Sequence, residues 1–193
     1  MLNRLRKRFR DHTRDNLTTH LTSLGIPASI AERNRPEERV SRLWIFRRSL
    51  GLIDISVGPI KSINVLKRDR SKDAPPRWWF AFLVPAEIPI SRDHTFKIKT
   101  VRRKTFPLFG KVIDVYWKGN DRGTGLVDVL SQDETVDKLV STHGDLSVRS
   151  YKKRAFNGWV IQYSTGRPKN FELDIGEWQT LSAIATRLLY ISS

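Results

Sequence analysis

Cysteine is absent from this 193-residue sequence, methionine occurs once and histidine four times. Without cysteine there is no disulfide, no thiolate metal site and no cysteine nucleophile. The histidines, His12, His20, His94 and His143, do not fall at metal-ligand spacing, and neither a His-Glu-x-x-His motif nor a calcium-loop motif occurs. No metal site and no cofactor is expected. The Gly-x-Ser-x-Gly elbow of serine hydrolases is missing as well, so no catalytic residue is assigned. Long apolar runs are also lacking. The longest, Trp78 to Ile90, contains Glu87 and two prolines and falls short of the roughly 20 residues that cross a bilayer as a helix. The basic N-terminus is not followed by an apolar stretch, so it does not read as a secretory signal, and Asp11 and Asp15 argue against a transit peptide.

Acidic residues are scarce relative to basic ones: 20 Asp and Glu stand against 35 Lys and Arg, a net charge of +15. The excess is uneven. Residues 1–48 hold 12 basic and 5 acidic side chains, residues 49–120 hold 14 and 6, and residues 121–193 hold 9 of each. A lopsided excess of this size implies an anionic partner: a nucleic acid, an anionic membrane surface or an acidic protein. The chain also carries six Trp and is 39% hydrophobic, which favours a folded domain over a disordered one.

Residues 2–24 read as an amphipathic helix. Leu2, Leu5, Phe9, Thr13, Leu17, Leu21 and Leu24 recur at spacings of three and four, and Arg4, Arg6, Lys7, Arg8, Arg10 and Arg14 occupy the opposite face. Gly25 and Pro27 end it. Residues 1–25 are thus expected to form a basic helical arm, and residues 26–193 a single α+β domain. A second helix is expected from about Pro36 to Leu50, with Glu37 and Glu38 at its positive end and Arg47 and Arg48 at its negative end.

From Gly51 the apolar period changes to two. Ile53, Ile55, Ile63 and Val65 mark strands, and residues 67–77 a polar loop. Trp78 to Val84 is apolar at every position, as in a central strand covered on both faces. Strands at about 94–103 and 111–118 complete a five-strand stretch with connections suited to antiparallel pairing. Ser131 and Glu134 match a capping box, with Val136, Leu139 and Val140 as the apolar face that follows. Strands at about 145–151 and 159–164 flank Asn157-Gly158, a type I′ turn signal. A last helix starts at Asp174, with Glu177 three residues on. The expected fold is α+β: N-terminal helices, a mainly antiparallel sheet of about five to seven strands, and two further helices packed on one face.

Four features could meet an anion. The Arg-rich helix would place Arg4, Arg6, Lys7, Arg8 and Arg10 on headgroups, with Leu2, Leu5 and Phe9 immersed. A second apolar anchor, Phe106, Leu108 and Phe109, is ringed by Arg102, Arg103, Lys104 and Lys111. In the strand Thr95–Arg103, alternation puts Lys97, Lys99 and Arg103 on one face, a pattern that follows a phosphate backbone or protects a sheet edge. Finally, Gly119, Gly123 and Gly125 form a candidate phosphate loop, although the Gly-Lys-Ser/Thr of a P-loop is missing. Asp54, Asp114, Asp128 and Asp133 are the carboxylates that a nuclease would have to gather around a metal. The leading expectation is a non-enzymatic binding or scaffold domain docked on an anionic phospholipid surface, in the cytoplasm and peripheral to the membrane. A nucleic-acid-associated protein using Lys97, Lys99, Arg102 and Arg103 is the second reading, and an enzyme on a phosphate-containing substrate the third.

Overall fold

Trp78 to Val84 has no polar position, so a strand built from it needs cover on both faces. The computed structural model, which describes residues 11–40, 47–88, 96–105, 112–166 and 171–192, gives it that cover. Eight strands form one antiparallel sheet: β1 Ala28–Ile30, β2 Arg48–Ile55, β3 Ser62–Arg68, β4 Arg77–Pro85, β5 Lys97–Lys104, β6 Val112–Asn120, β7 Leu146–Lys153 and β8 Phe156–Thr165. Their spatial order is β1-β2-β3-β4-β8-β7-β5-β6. The described helices are α1 Thr13–Ser23, α2 Leu126–Ser131, α3 Glu134–His143 and α4 Ile175–Ser192, with a 3₁₀ turn at Pro36–Arg39.

Alternation along the strands sorts their side chains onto two faces. One face carries Ile53 and Ile55 of β2, Ile63 and Val65 of β3, Phe80, Phe82 and Val84 of β4, Trp159, Ile161 and Tyr163 of β8, and Val148 and Ile98 of β7 and β5. These share a core with Leu17 and Leu21 of α1, Leu126 and Leu130 of α2, Val136 and Leu139 of α3, and Leu181 and Leu188 of α4. Phe80 stacks on Phe171, with ring centroids 3.9 Å apart. Each such ring contributes about 1.5–3 kcal/mol by leaving water, which makes this face the main source of stability. On the other face, Ala81 and Leu83 join Leu52, Phe156 and Val160 in a smaller cluster closed by Ala31 and Val40. Asn64 ties that cover down: its amide donates to the carbonyls of Glu37 and Glu38, and its oxygen accepts from Ser49.

Several expectations change. The sheet has eight strands, β1 being the one that short apolar periodicity does not reveal. β4 and β5 are not neighbours, because the β7–β8 hairpin lies between them. Of the expected helix from Pro36 to Leu50, the described residues form a 3₁₀ turn at Pro36–Arg39 and strand from Arg48 onward, while residues 41–46 lie outside the described residues. There Arg48 and Ser49 pair with Lys67 and Leu66 of β3, and this tertiary pairing overrides local helical spacing. Asp11 and His12 are not helical. The Asp11 carboxylate accepts from the Thr13 backbone and hydroxyl, so the described helix begins there. Arg14, assigned by spacing to the wet face, is buried against Gly51. Gly51 has φ +119°, and a Cβ on it would occupy the place of the Arg14 guanidinium.

Ser131 does not cap α3. It closes the short helix before it by donating to the Val127 carbonyl, while Asp133 caps α3 by accepting from Thr135. Leu126 and Leu130, both buried, anchor that short helix to the core. The hairpin turns at Arg154 and Ala155, not at Asn157-Gly158, since Lys153 pairs with Phe156 and Tyr151 with Gly158. Gly158 has another task. At φ +147° it lies against the Val84 carbonyl, where a Cβ would collide, so β8 can approach β4 only through glycine. Asp174 and Glu177 do form a reciprocal cap at α4, with N–H to carboxylate distances of 2.7 and 2.8 Å.

Candidate functional site

Among the described residues, the second sheet face is covered only at one end. Beyond the small cluster, its side chains are polar and basic. Alternation and register place Arg68 of β3 opposite Arg77 of β4, Arg149 of β7 opposite Lys97 of β5, and Lys99 of β5 opposite Lys118 of β6. Like charges directly opposed across an antiparallel ladder cost stability. Arg103, on the same face of β5, is opposite Asp114 of β6. Among the described residues no carboxylate lies within ion-pair distance of Arg47, Arg68, Arg77, Lys99 or Lys118. At roughly 4.8 Å per strand, the stripe from β3 to β6 crosses the sheet over about 24 Å.

Aromatic side chains are interleaved with this charge. Tyr116 stands opposite Val101 on the same face and is 42% exposed. Tyr151 lies on this face of β7, with the Lys153 ammonium 5.5 Å from its ring. Trp79 forms part of the floor of a cleft of about 570 Å³ whose lining includes Arg47, Lys99, Ser147, Arg149 and Gln162. The Arg47 guanidinium sits 3.9 Å over the Trp79 ring. Partial burial, reinforced by the positive charges of Arg149, Arg68 and Arg77, lowers its pKa to about 10. A guanidinium destabilised by both desolvation and neighbouring cations marks a site whose potential is unbalanced in the absence of an anion.

Comparison with family models, with curated proteins and with solved structures finds no match to this chain. The site therefore rests on its own geometry.

The residues selected from sequence divide into three groups. Arg4, Arg6, Lys7, Arg8, Arg10, Leu2, Leu5, Phe9, Phe106, Leu108 and Phe109 lie outside the described residues, as does the side chain of Lys104. Lys97, Lys99 and Arg103 share one exposed face of β5. Arg102 points to the other side and is engaged by Asp145, with Nε to Oδ1 at 2.8 Å. Gly119 ends β6 against the Lys97 carbonyl. Beside it, the candidate phosphate loop already uses its donors internally: the Asp121 carboxylate accepts from the Gly123 and Val127 backbones, and Asn120 accepts from Arg122. A carboxylate thus occupies the position where a phosphate would be held. The four candidate nuclease acids are also divided, since Asp54 pairs with Arg35 and Asp133 with Arg187. Among the described residues no three His, Asp or Glu side chains gather as for a metal, and no helix is long and apolar enough to cross a membrane.

Arg47, Arg68, Arg77, Lys118 and Arg149, with Trp79, Tyr116 and Tyr151, were not singled out by sequence reasoning. A signal for some of them exists. Lys118 follows Trp117, and Arg149 follows Val148, as polar positions alternating with buried ones. What sequence does not show is that β7 lies beside β5, which brings Arg149 to Lys97.

Proposed function

We propose that this chain is a non-enzymatic binding domain for single-stranded nucleic acid, which lies across the open sheet face. The observation that carries this reading is the set of directly opposed cations on one face of the sheet, Arg68 with Arg77, Lys99 with Lys118 and Lys97 with Arg149. A phosphate backbone would neutralise this stripe, and the release of its counterions would drive association. Tyr116 and Tyr151 add π faces on which bases can stack regardless of sequence, while a flat sheet suits a flexible single strand better than a groove of fixed width. Lys97 and Lys99 keep the role that alternation in the sequence suggested for them. Docking on anionic phospholipid is the competing reading. Its two apolar anchors lie outside the described residues, whereas the basic stripe is itself flat and polar.

Binding of a labelled single-stranded oligonucleotide, titrated at several salt concentrations, tests the proposal. With about five phosphates neutralised, log K should fall with log salt at a slope of roughly −3.5. The double variant Lys99→Glu, Lys118→Glu should lose most of the affinity while remaining folded. Unchanged affinity in that variant would refute the assignment of the face. Sedimentation with anionic liposomes, retained by the variant, together with no oligonucleotide binding, would establish the membrane reading instead.

A further inference from the structure

The cations of the open face are not evenly distributed. Lys97 and Lys99 stand two residues apart on β5, and Lys118 lies opposite Lys99 on β6. Arg47 and Arg149, together with Lys99, line the cleft that contains Trp79, and Arg68 and Arg77 lie close enough to act on the charge of Arg47. We propose that this cleft receives the terminal phosphate of a bound strand, so that the domain recognises a phosphorylated end as well as the backbone. This inference rests on the reading of the open face as a nucleic-acid site.

The chemistry distinguishes an end from an internal phosphate. A phosphomonoester carries close to two negative charges at neutral pH and presents three acceptor oxygens, whereas a diester brings one charge. Guanidinium groups suit it because each offers paired donors in a fixed fork. Arg47 is held flat on Trp79, so little side-chain freedom remains to be lost on binding. Arg77 is oriented by its bond to the Ser164 hydroxyl, 2.9 Å away. Ser147 and Gln162 in the lining add neutral donors. The carboxylate at the rim, Asp145, is already engaged by Arg102. A partly open cleft beside the lysines gives a strand a place to stop, and the clustered charge selects the end that carries the extra charge.

The test compares three single-stranded decanucleotides of one sequence: with a 5′-phosphate, with a 3′-phosphate, and with hydroxyls at both ends. One of the two phosphorylated strands should bind about tenfold more tightly than the unphosphorylated one. Arg47→Met, which retains an apolar cover for Trp79, and Arg77→Gln, at an exposed position, should each weaken binding of all three strands and bring the three to equal affinity. Equal binding of all three strands overturns the inference and leaves the nucleic-acid reading standing. A preference that survives in both variants places the phosphate elsewhere and also overturns it. Failure of every strand to bind removes the reading on which the inference rests, and binding of phosphatidate vesicles alone would assign the same cleft to a lipid headgroup.

Discussion

Like charges face each other on both sides of the sheet, but with different surroundings. On the helix-covered side, Arg48 of β2 is opposite Lys67 of β3. Both are answered: Arg48 by Asp69, and Lys67 by Asp11 at 2.8 Å and by Asp69. On the open side, Lys99 is opposite Lys118, and Arg68 is opposite Arg77, with no carboxylate in reach among the described residues. The first arrangement belongs to folding, since its counter-charge comes from the chain itself. The second leaves its counter-charge to a ligand. Net charge alone does not separate these two cases; the distribution of acids around the cations does.

The largest effect should come from the covered face. Phe82 is fully buried and meets Tyr163 edge-on and Trp178 at a tilt. Phe82→Ala should lower stability by about 3–5 kcal/mol, read from urea denaturation, and Lys99→Ala at the open face should change it by less than about 0.5 kcal/mol. Comparable losses at both positions would mean that the open face also holds the fold together, and the comparison would fail.

A smaller effect tests the internal counter-charge. Burial works against ionisation of Asp11, but hydrogen bonds from Lys67, Thr13 and Trp78 outweigh it and hold its pKa at about 2, below the ordinary 3.8. Because the folded value is the lower one, Asp11 contributes stability at neutral pH that is lost as pH falls from about 4 toward 2. Asp11→Asn should therefore destabilise the chain by roughly 1–2 kcal/mol at pH 7. The gap between variant and parent should close on acidification, as followed by denaturation at a series of pH values. A gap independent of pH would remove the ionised pair from the account.

Much of the covered face was legible in the sequence, because burial leaves a periodic trace. Phe80, Phe82 and Val84 alternate in register with Ile63 and Val65, and Leu17 and Leu21 follow a helical spacing. The open face was legible only strand by strand. Lys97 and Lys99 alternate with Phe96 and Ile98, but nothing local states that β6 and β7 flank β5 and bring Lys118 and Arg149 alongside. Arg47 illustrates the limit most clearly: its spacing fits the end of a helix, yet the next residue opens a strand paired with β3 and Arg47 lies on Trp79. Local pattern reports which residues share a face, whereas strand order is decided by contacts distant in sequence.

The smallest expected effect is also the one with the most informative sign. Opposed like charges destabilise a ladder, so removing them should stabilise it. Lys99→Thr with Lys118→Thr replaces such a pair by residues that favour strands, and stability should rise by about 0.2–1 kcal/mol. The gain should shrink as salt screens the repulsion. Lys67→Thr on the other side should do the reverse, because it strips Asp11 of its partner. Both results are read from thermal or urea unfolding of the free protein, with no ligand present. A loss of stability on removing Lys99 and Lys118 would mean that these lysines serve the fold as Lys67 does. A gain would show that the open face retains charges at a cost to folding, which is the condition expected of a surface kept for an anionic partner.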